Sequence, residues 1–186
     1  MKLKLGFPFL NRAKSEIGFA YGQLNDYYFQ TSNMTFPNAT TDHSRYDLFA
    51  GSLSIERNSL DYKQYPISGR KQFLVAQYVT GTEKYMPSPI TDMGSFDRKV
   101  HSWLQMKGEW EQYKTISPYF NLGFMSELVL SSKNLMNNYT ASVLQAPAFT
   151  PTPHSQIVFN EAFRANQYVA FGLSPILKFS KLLHFR

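Results

Sequence analysis

The sequence has no cysteine, few charged residues and no long apolar run, and each absence excludes a class of protein. Without cysteine, disulfide scaffolds, thiolate metal sites and cysteine nucleophiles are excluded. Charged residues make up 17% of the 186 residues, below the roughly 25% that is usual for soluble domains. A membrane-spanning helix needs about 20 consecutive apolar residues, whereas apolar runs such as 128–130 cover only a few residues. The length fits one domain.

Basic residues outnumber acidic residues, but they are scattered. The chain has 19 lysines and arginines against 13 acids, for a net charge of +6. A nucleic-acid site gathers its basic residues into a stripe, whereas the basic runs here are pairs such as Arg70-Lys71 and Arg98-Lys99. The four histidines lack metal-ligand spacing, and no phosphate-binding glycine motif occurs. We expect no nucleic-acid partner, no metal and no cofactor.

No nucleophile motif is found in the sequence. A hydrolase of the patatin type needs Gly-x-Ser-x-Gly, because the glycines permit the strained turn that exposes the serine. The segments around Ser52 and Ser95 each have one glycine before the serine and none after it. We therefore predict that this chain has no catalytic residue and is not itself an enzyme.

Apolar and polar residues alternate along much of the chain, which is typical of strands with two unlike faces. In segment 102–112, Leu104, Met106 and Trp110 share one face, whereas Lys107 and Glu109 lie on the other. Similar patterns predict long strands at 14–28, 46–58, 71–84, 100–113, 120–132 and 167–179, with partial strands at 2–10 and 182–186.

The predicted strands are long, and their connections alternate between short turns and long polar loops. Each covers about 12 to 15 residues, whereas soluble strands have about 5 or 6 and tilted membrane strands need about 9 to 11. These features predict an all-β fold: an antiparallel up-and-down meander of long strands that is part of a transmembrane β-barrel in the bacterial outer membrane, in contact with outer-membrane lipid. Aromatic girdles are predicted from Tyr27, Tyr28, Phe29, Tyr46, Tyr85, Trp103, Tyr113, Tyr119 and Phe120.

The alternation alone leaves open which face points inward. In a membrane barrel the apolar face contacts lipid, and the charges point into the lumen. A soluble sandwich or lipocalin-like barrel would instead bury the apolar face; strand length, loop asymmetry and aromatic strand ends favour the membrane. The predicted lumen-facing charges are Glu16, Lys107, Glu109, Glu111 and Glu127.

The segment 57–70 resembles a turn of the bacterial surface antigen superfamily, which comprises the barrels of outer-membrane assembly and secretion proteins. Asp61, Tyr65, Pro66, Ser68 and Gly69 occupy the places of that turn's aspartate, aromatic, proline, serine or threonine, and glycine. Proline fixes φ, glycine tolerates positive φ, and an aspartate can accept hydrogen bonds from nearby backbone N–H groups. Asp61, Pro66 and Gly69 are therefore predicted to shape the turn.

The segments 144–155 and 163–168 resemble the long loop and following strand of Bacteroidetes patatin-like phospholipases that carry a C-terminal barrel of this superfamily. The resemblance covers most of the chain from about Leu48 onward. It implies that residues 1–186 are a single partial outer-membrane β-barrel domain, with about six complete strands and partial strands at both ends. It also implies a barrel of about sixteen strands, a preceding lipase domain, and contacts with envelope assembly proteins. The chain would then anchor or translocate the lipase.

Arg164 is the one loop charge with a predicted role. The superfamily's Val-Arg-Gly-aromatic signature is absent in that form, and Phe163-Arg164-Ala165 stands at a comparable place. A superfamily arginine there reaches into the lumen, so Arg164 would pin its loop against Glu109, Glu111 or Glu127; the alternative is a solvated arginine.

Two other functions remain open at this point. One is a self-sufficient small barrel, soluble or membrane-embedded, that binds an apolar ligand. The other is an active transporter or assembly factor that uses its barrel seam to insert other strands.

Overall fold

The strands of the computed structural model form one antiparallel sheet, in which each strand pairs with its neighbours in sequence. The structure describes residues 1–9, 13–28, 41–87, 97–134, 136, 146–150, 161–179 and 184–185. The predicted all-β antiparallel meander is confirmed. Its strands are β1 (Lys2–Pro8), β2 (Ala13–Tyr28), β3 (Asp42–Asn58), β4 (Gly69–Met86), β5 (Asp97–Ser117), β6 (Phe120–Ser131), β7 (Tyr168–Lys178) and β8 (His184–Phe185), and one 3-10 turn covers Glu161–Phe163.

Several strands are longer than the alternation predicts. Strand β3 begins at Asp42, four residues before its predicted start at residue 46. Strand β5 extends from Asp97 to Ser117, so that most of the predicted connection 114–119 belongs to a strand that is bulged between Thr115 and Ser117. These extensions are rich in polar residues, which carry no apolar alternation, and backbone pairing alone continues the ladder through them.

The two faces of the sheet differ in chemistry, and we name them the apolar face and the polar face. Successive side chains along each strand point alternately to the two faces, because the backbone is pleated. Exposed side chains of the apolar face include Ile17, Phe19, Phe49, Leu53, Leu74, Leu104, Leu128, Phe171 and Leu173. The polar face carries Glu16, Lys71, Lys107, Glu109, Glu111, Glu127 and Tyr168, most of them joined by ion pairs or hydrogen bonds.

A small apolar cluster covers part of the polar face at one end of the sheet. It consists of the buried residues Tyr46, Val79, Trp103 and Met136. Met136 comes from the segment that follows β6, so this segment folds back over the polar face.

The sheet has two edges in the part of the chain that the structure describes. No pairing joins β1 to β8 there, and every residue of β1 is exposed.

Candidate membrane-facing surface and inner charge network

The apolar face exposes large side chains that a water-soluble sheet would bury. Phe19, Phe171 and Leu173 have exposed fractions of 61%, 68% and 70%. Neighbouring strands contribute similar residues, so the patch is continuous across β2 to β7. Soluble monomers rarely expose contiguous apolar patches of more than a few hundred Å². The apolar face therefore needs an apolar partner.

The height of this face matches the hydrocarbon layer of an outer-membrane barrel. On β3, the side chains that point to the apolar face run from Asp47 through Phe49 and Leu53 to Arg57. At about 3.3 Å per residue, the strand covers about 33 Å between the two charged residues. A tilt of about 40° reduces this length to a height of about 25 Å, which is the height of the apolar band of such barrels.

The residues predicted to form the aromatic girdles differ in exposure and in the face to which they point. Tyr27 and Tyr119 are exposed, with Tyr119 at 73%. In contrast, Tyr46, Trp103 and Tyr113 are buried, with exposed fractions of 0%, 7% and 8%. Their position in the alternation places these three rings on the polar face, where they pack inside, so closeness to a strand end did not determine the direction of the ring.

Tyr85 also turns away from the apolar face and donates from its hydroxyl to Asp42 at 2.8 Å. Phe120 is half-buried, whereas the side chain of Tyr28 and the whole of Phe29 lie outside the described part.

The polar face holds a chain of ion pairs across strands β4 to β6. Lys71 Nζ lies 2.9 Å from Glu109 Oε2 and 3.5 Å from Glu111 Oε1. Lys107 Nζ lies 3.0 Å from Glu109 Oε1 and 2.9 Å from Glu127 Oε1. Since each lysine sits between two carboxylates, the two lysines offset most of the charge of the three glutamates within a region that is only partly open to water.

Tyr168 completes this network on β7. Its hydroxyl donates to Glu127 Oε1, the same oxygen that contacts Lys107. The sequence predicted Lys107, Glu109, Glu111 and Glu127 as one group on one face, and the structure brings them together. The sequence pattern did not predict Lys71 as a member of this group, because the alternation of β4 is irregular. The pattern placed Tyr168 on the polar face but gave it no role. Glu16 lies apart from this network and pairs with Lys4 at 3.2 Å and Lys14 at 2.9 Å.

A second polar group lies at the long-loop end of the same face. His101 Nε2 and Glu83 Oε2 are 2.6 Å apart, and both side chains are buried. Just beyond β6, the Lys133 ammonium lies 5.4 Å from the centre of the Trp103 ring, which is a cation–π distance. Burial lowers the pKa of Lys133 from 10.5 to about 8, because the charged form loses hydration.

Asp61 organises the turn between β3 and β4. Its Oδ1 accepts hydrogen bonds from the backbone N–H groups of Tyr62, Ile67 and Ser68 at 3.0, 3.0 and 3.2 Å. Pro66 is buried within the turn. Gly69 has φ of +104°, and a Cβ there would clash with the Ser59 carbonyl oxygen.

The turn also contacts the polar face at its short-turn end. Asn121 on β6, which is fully buried, donates from Nδ2 to the Ile67 carbonyl oxygen at 2.6 Å. The turn is therefore fixed to a strand two places away in the sheet.

Arg164 joins two pieces of the long connection between β6 and β7. Its Nη1 donates to the Ala146 carbonyl oxygen at 3.0 Å, and its backbone pairs with Ala148. Two further backbone bonds tie the same segments, from Phe149 N to Phe163 O and from Ala165 N to Pro147 O. A loop carbonyl is thus one partner of Arg164, and its contact with Glu109, Glu111 or Glu127 stays a prediction.

No helix among the described residues is long and apolar enough to cross a membrane. The same part of the chain contains no group of three or more histidines and acids placed to hold a metal ion. No family model matches the chain, and neither the curated proteins nor the solved structures yield a match. The arrangement of the two faces, rather than a relative, therefore carries the functional interpretation.

Proposed function

We propose that this chain forms part of the wall of a bacterial outer-membrane β-barrel. The observation that carries the proposal is the continuous, exposed apolar face, about 25 Å high, backed by a polar face with compensated charges. Lipid covers such an apolar face, and a wet lumen accommodates such a polar face. Hydrocarbon cannot satisfy the free backbone groups at the edges of the sheet, so further strands, from the rest of a longer protein or, for the purified chain, from a second copy paired edge to edge, complete the wall.

The alternative function, a small barrel that binds an apolar ligand inside, is disfavoured by the polar face. A ligand of that kind needs a lumen lined mainly by apolar side chains. Lys71, Lys107, Glu109 and Glu127 instead occupy the middle of the face that would surround it.

The proposed role of the wall is to anchor or translocate a patatin-like lipase. Support for this part comes from the resemblance of segments 144–155 and 163–168 to the barrels of patatin-like phospholipases, and from the resemblance of segment 57–70 to a turn of the bacterial surface antigen superfamily. Within the described residues, the charge network offers hydrogen bonds and ion pairs, and no serine-based nucleophile motif accompanies it. Hydrolysis would belong to the lipase domain.

Flotation tests the wall. The purified chain is mixed with phospholipid vesicles or kept in buffer, centrifuged through a density step, and examined by circular dichroism. We expect a β-strand spectrum only with lipid or detergent, and flotation only with vesicles. A monodisperse β-protein in plain buffer would contradict the proposal and favour the ligand-binding barrel.

Cell fractionation tests whether the wall anchors a lipase. In cells that produce the full-length protein, phospholipase activity should sediment with the outer membrane. The Leu53→Lys variant, which places a charge on the apolar face, should release that activity, whereas the neighbouring polar-face variant Ser54→Lys should not. Activity that stays with the membrane in both variants would contradict anchoring by this wall.

A further inference from the structure

A groove crosses the apolar face near the end of the sheet that carries the short turns. Its volume is about 560 Å³. One row of its lining consists of residues paired in register across six strands: Ala13, Arg57, Gln72, Trp110, Ser126 and Phe171. The groove therefore runs across the strands, with a cation on β3, one strand in from its β2 end, and aromatic side chains along its length.

Small residues make the floor of this groove. Gly108 has no side chain, and a Cβ there would meet nothing nearer than Leu74 Cδ1 at 3.9 Å. Leu74 and Leu128 lie on either side of Gly108 in register, and Ser126 is the next small residue along the groove. The result is an apolar channel between large side chains, of a kind that accepts a hydrocarbon chain.

A second, polar cavity adjoins the groove at Arg57. It has a volume of about 280 Å³, and its lining includes Arg57, Arg70 and Gln112. Both guanidinium groups are on the apolar face, and neither forms an ion pair with any acid in the described part of the chain. Unpaired arginines at the mouth of an apolar channel complement an anion that carries a hydrocarbon chain, because guanidinium binds phosphate through paired hydrogen bonds.

We propose that the groove is a binding site for an anionic phospholipid, with the phosphate between Arg57 and Arg70 and an acyl chain along Gly108. The proposal rests on the proposed function, because it takes the lipid from the bilayer around the wall. The position of the groove selects the leaflet: short turns lie on the periplasmic side of such barrels, so the occupant is a phospholipid of the inner leaflet. Trp110 sits at that level, where tryptophan is enriched.

Tryptophan fluorescence gives a direct measurement. The chain has two tryptophans, Trp103 on the polar face and Trp110 in the groove. The Trp103→Phe variant therefore reports from the groove alone. The chain in a neutral detergent is titrated with dihexanoyl phosphatidylglycerol and, separately, with dihexanoyl phosphatidylcholine. We expect a saturable change with the glycerol lipid and at least about tenfold weaker binding of the choline lipid.

Paired variants locate the site. Arg57→Gln with Arg70→Gln should weaken phosphatidylglycerol binding at least about tenfold, since each charge-assisted contact contributes roughly that factor. Gly108→Leu should fill the channel and weaken both lipids. The controls are Arg98→Gln, a cation at the other end of β5, and Gly51→Leu, on the apolar face outside the groove; neither should change binding. Equal binding of the two lipids, or equal effects of the arginine variants and their control, would overturn the proposal.

The failure of this site is distinguishable from the failure of the proposed function. Flotation reports insertion, and the titration reports the groove, because the short-chain lipid reaches it in a micelle or in buffer. If the chain floats but binds both lipids equally, the membrane wall is supported and the lipid site is excluded. If the chain stays in buffer yet binds phosphatidylglycerol through Arg57, the lipid site is supported and the membrane wall is excluded.

Discussion

The two faces of this sheet reverse the arrangement of a soluble β-protein. On the face that is packed and partly covered, lysines and glutamates form a network across three strands. On the face that is open, leucines and phenylalanines are exposed at about half to two-thirds of their surface. In water this inversion would be costly, because apolar burial contributes about 25 cal/mol per Å². It becomes stable when the solvent on one side is hydrocarbon.

The largest expected effect comes from placing a charge on the apolar face. Leu53 is near the middle of the apolar stretch of β3 and is 52% exposed. Leu53→Lys should reduce the free energy of unfolding in lipid vesicles by about 2–4 kcal/mol, because a lysine at mid-depth meets hydrocarbon. Urea titration in vesicles measures the change.

The neighbouring residue provides the control. Ser54 is half-buried on the polar face, paired in register with Glu16. Ser54→Lys should change the stability by less than about 1 kcal/mol. Equal losses at both positions would mean that the two faces meet the same solvent.

Removing a charge from the polar face should have the next largest effect. Lys107→Met leaves the carboxylates of Glu109 and Glu127 without a cation that each now contacts at about 3 Å. We expect a loss of about 1–3 kcal/mol in the same urea titration. Lys114→Met removes an exposed lysine from β5 and should stay within about 0.5 kcal/mol. A network without energetic coupling would give the two variants the same value.

The β3–β4 turn and the apolar face differ in how much room they leave for a methyl group. Gly69→Ala forces an alanine to φ of +104° and against the Ser59 carbonyl, so we expect a loss of about 1–3 kcal/mol. Gly51 on the apolar face has no atom within 4 Å of the place that an alanine methyl group would occupy, and Gly51→Ala should be neutral or slightly stabilising. Thermal unfolding in detergent compares them, and an equally harmless Gly69→Ala would show that the turn is not tightly fixed.

The smallest effect depends on pH and concerns Lys133. Its pKa falls to about 8 in the folded chain, whereas the unfolded value is near 10.5. Between these two values the unfolded chain binds more protons, so the stability rises with pH. We expect a gain on the order of 1 kcal/mol from pH 7 to pH 9. Lys133→Met should remove this slope; a slope that persists in the variant belongs to another group.

The sequence predicted the strands and the division into faces better than it predicted contacts. Alternation placed Lys107, Glu109 and Glu127 together because a pleated strand fixes the side of each residue. Lys71 was missed because the alternation of β4 is irregular, and Tyr168 had no predicted partner because the register between strands depends on turn and bulge geometry, which alternation does not specify. Tyr46 and Trp103 were predicted at the lipid interface because they lie near strand ends, although their position in the alternation places both on the polar face, where they are buried.

The accessibility of single cysteines along β7 tests directly whether the apolar face contacts lipid. The chain has no cysteine, so each substitution carries one nitroxide label, and collision with oxygen or a water-soluble nickel complex reports the solvent. In vesicles, labels at Val169, Phe171 and Leu173 should collide with oxygen, and labels at Ala170 and Ser174 with nickel. That period of two is what a membrane wall predicts. Equal nickel accessibility at Phe171 and Ala170 would contradict it.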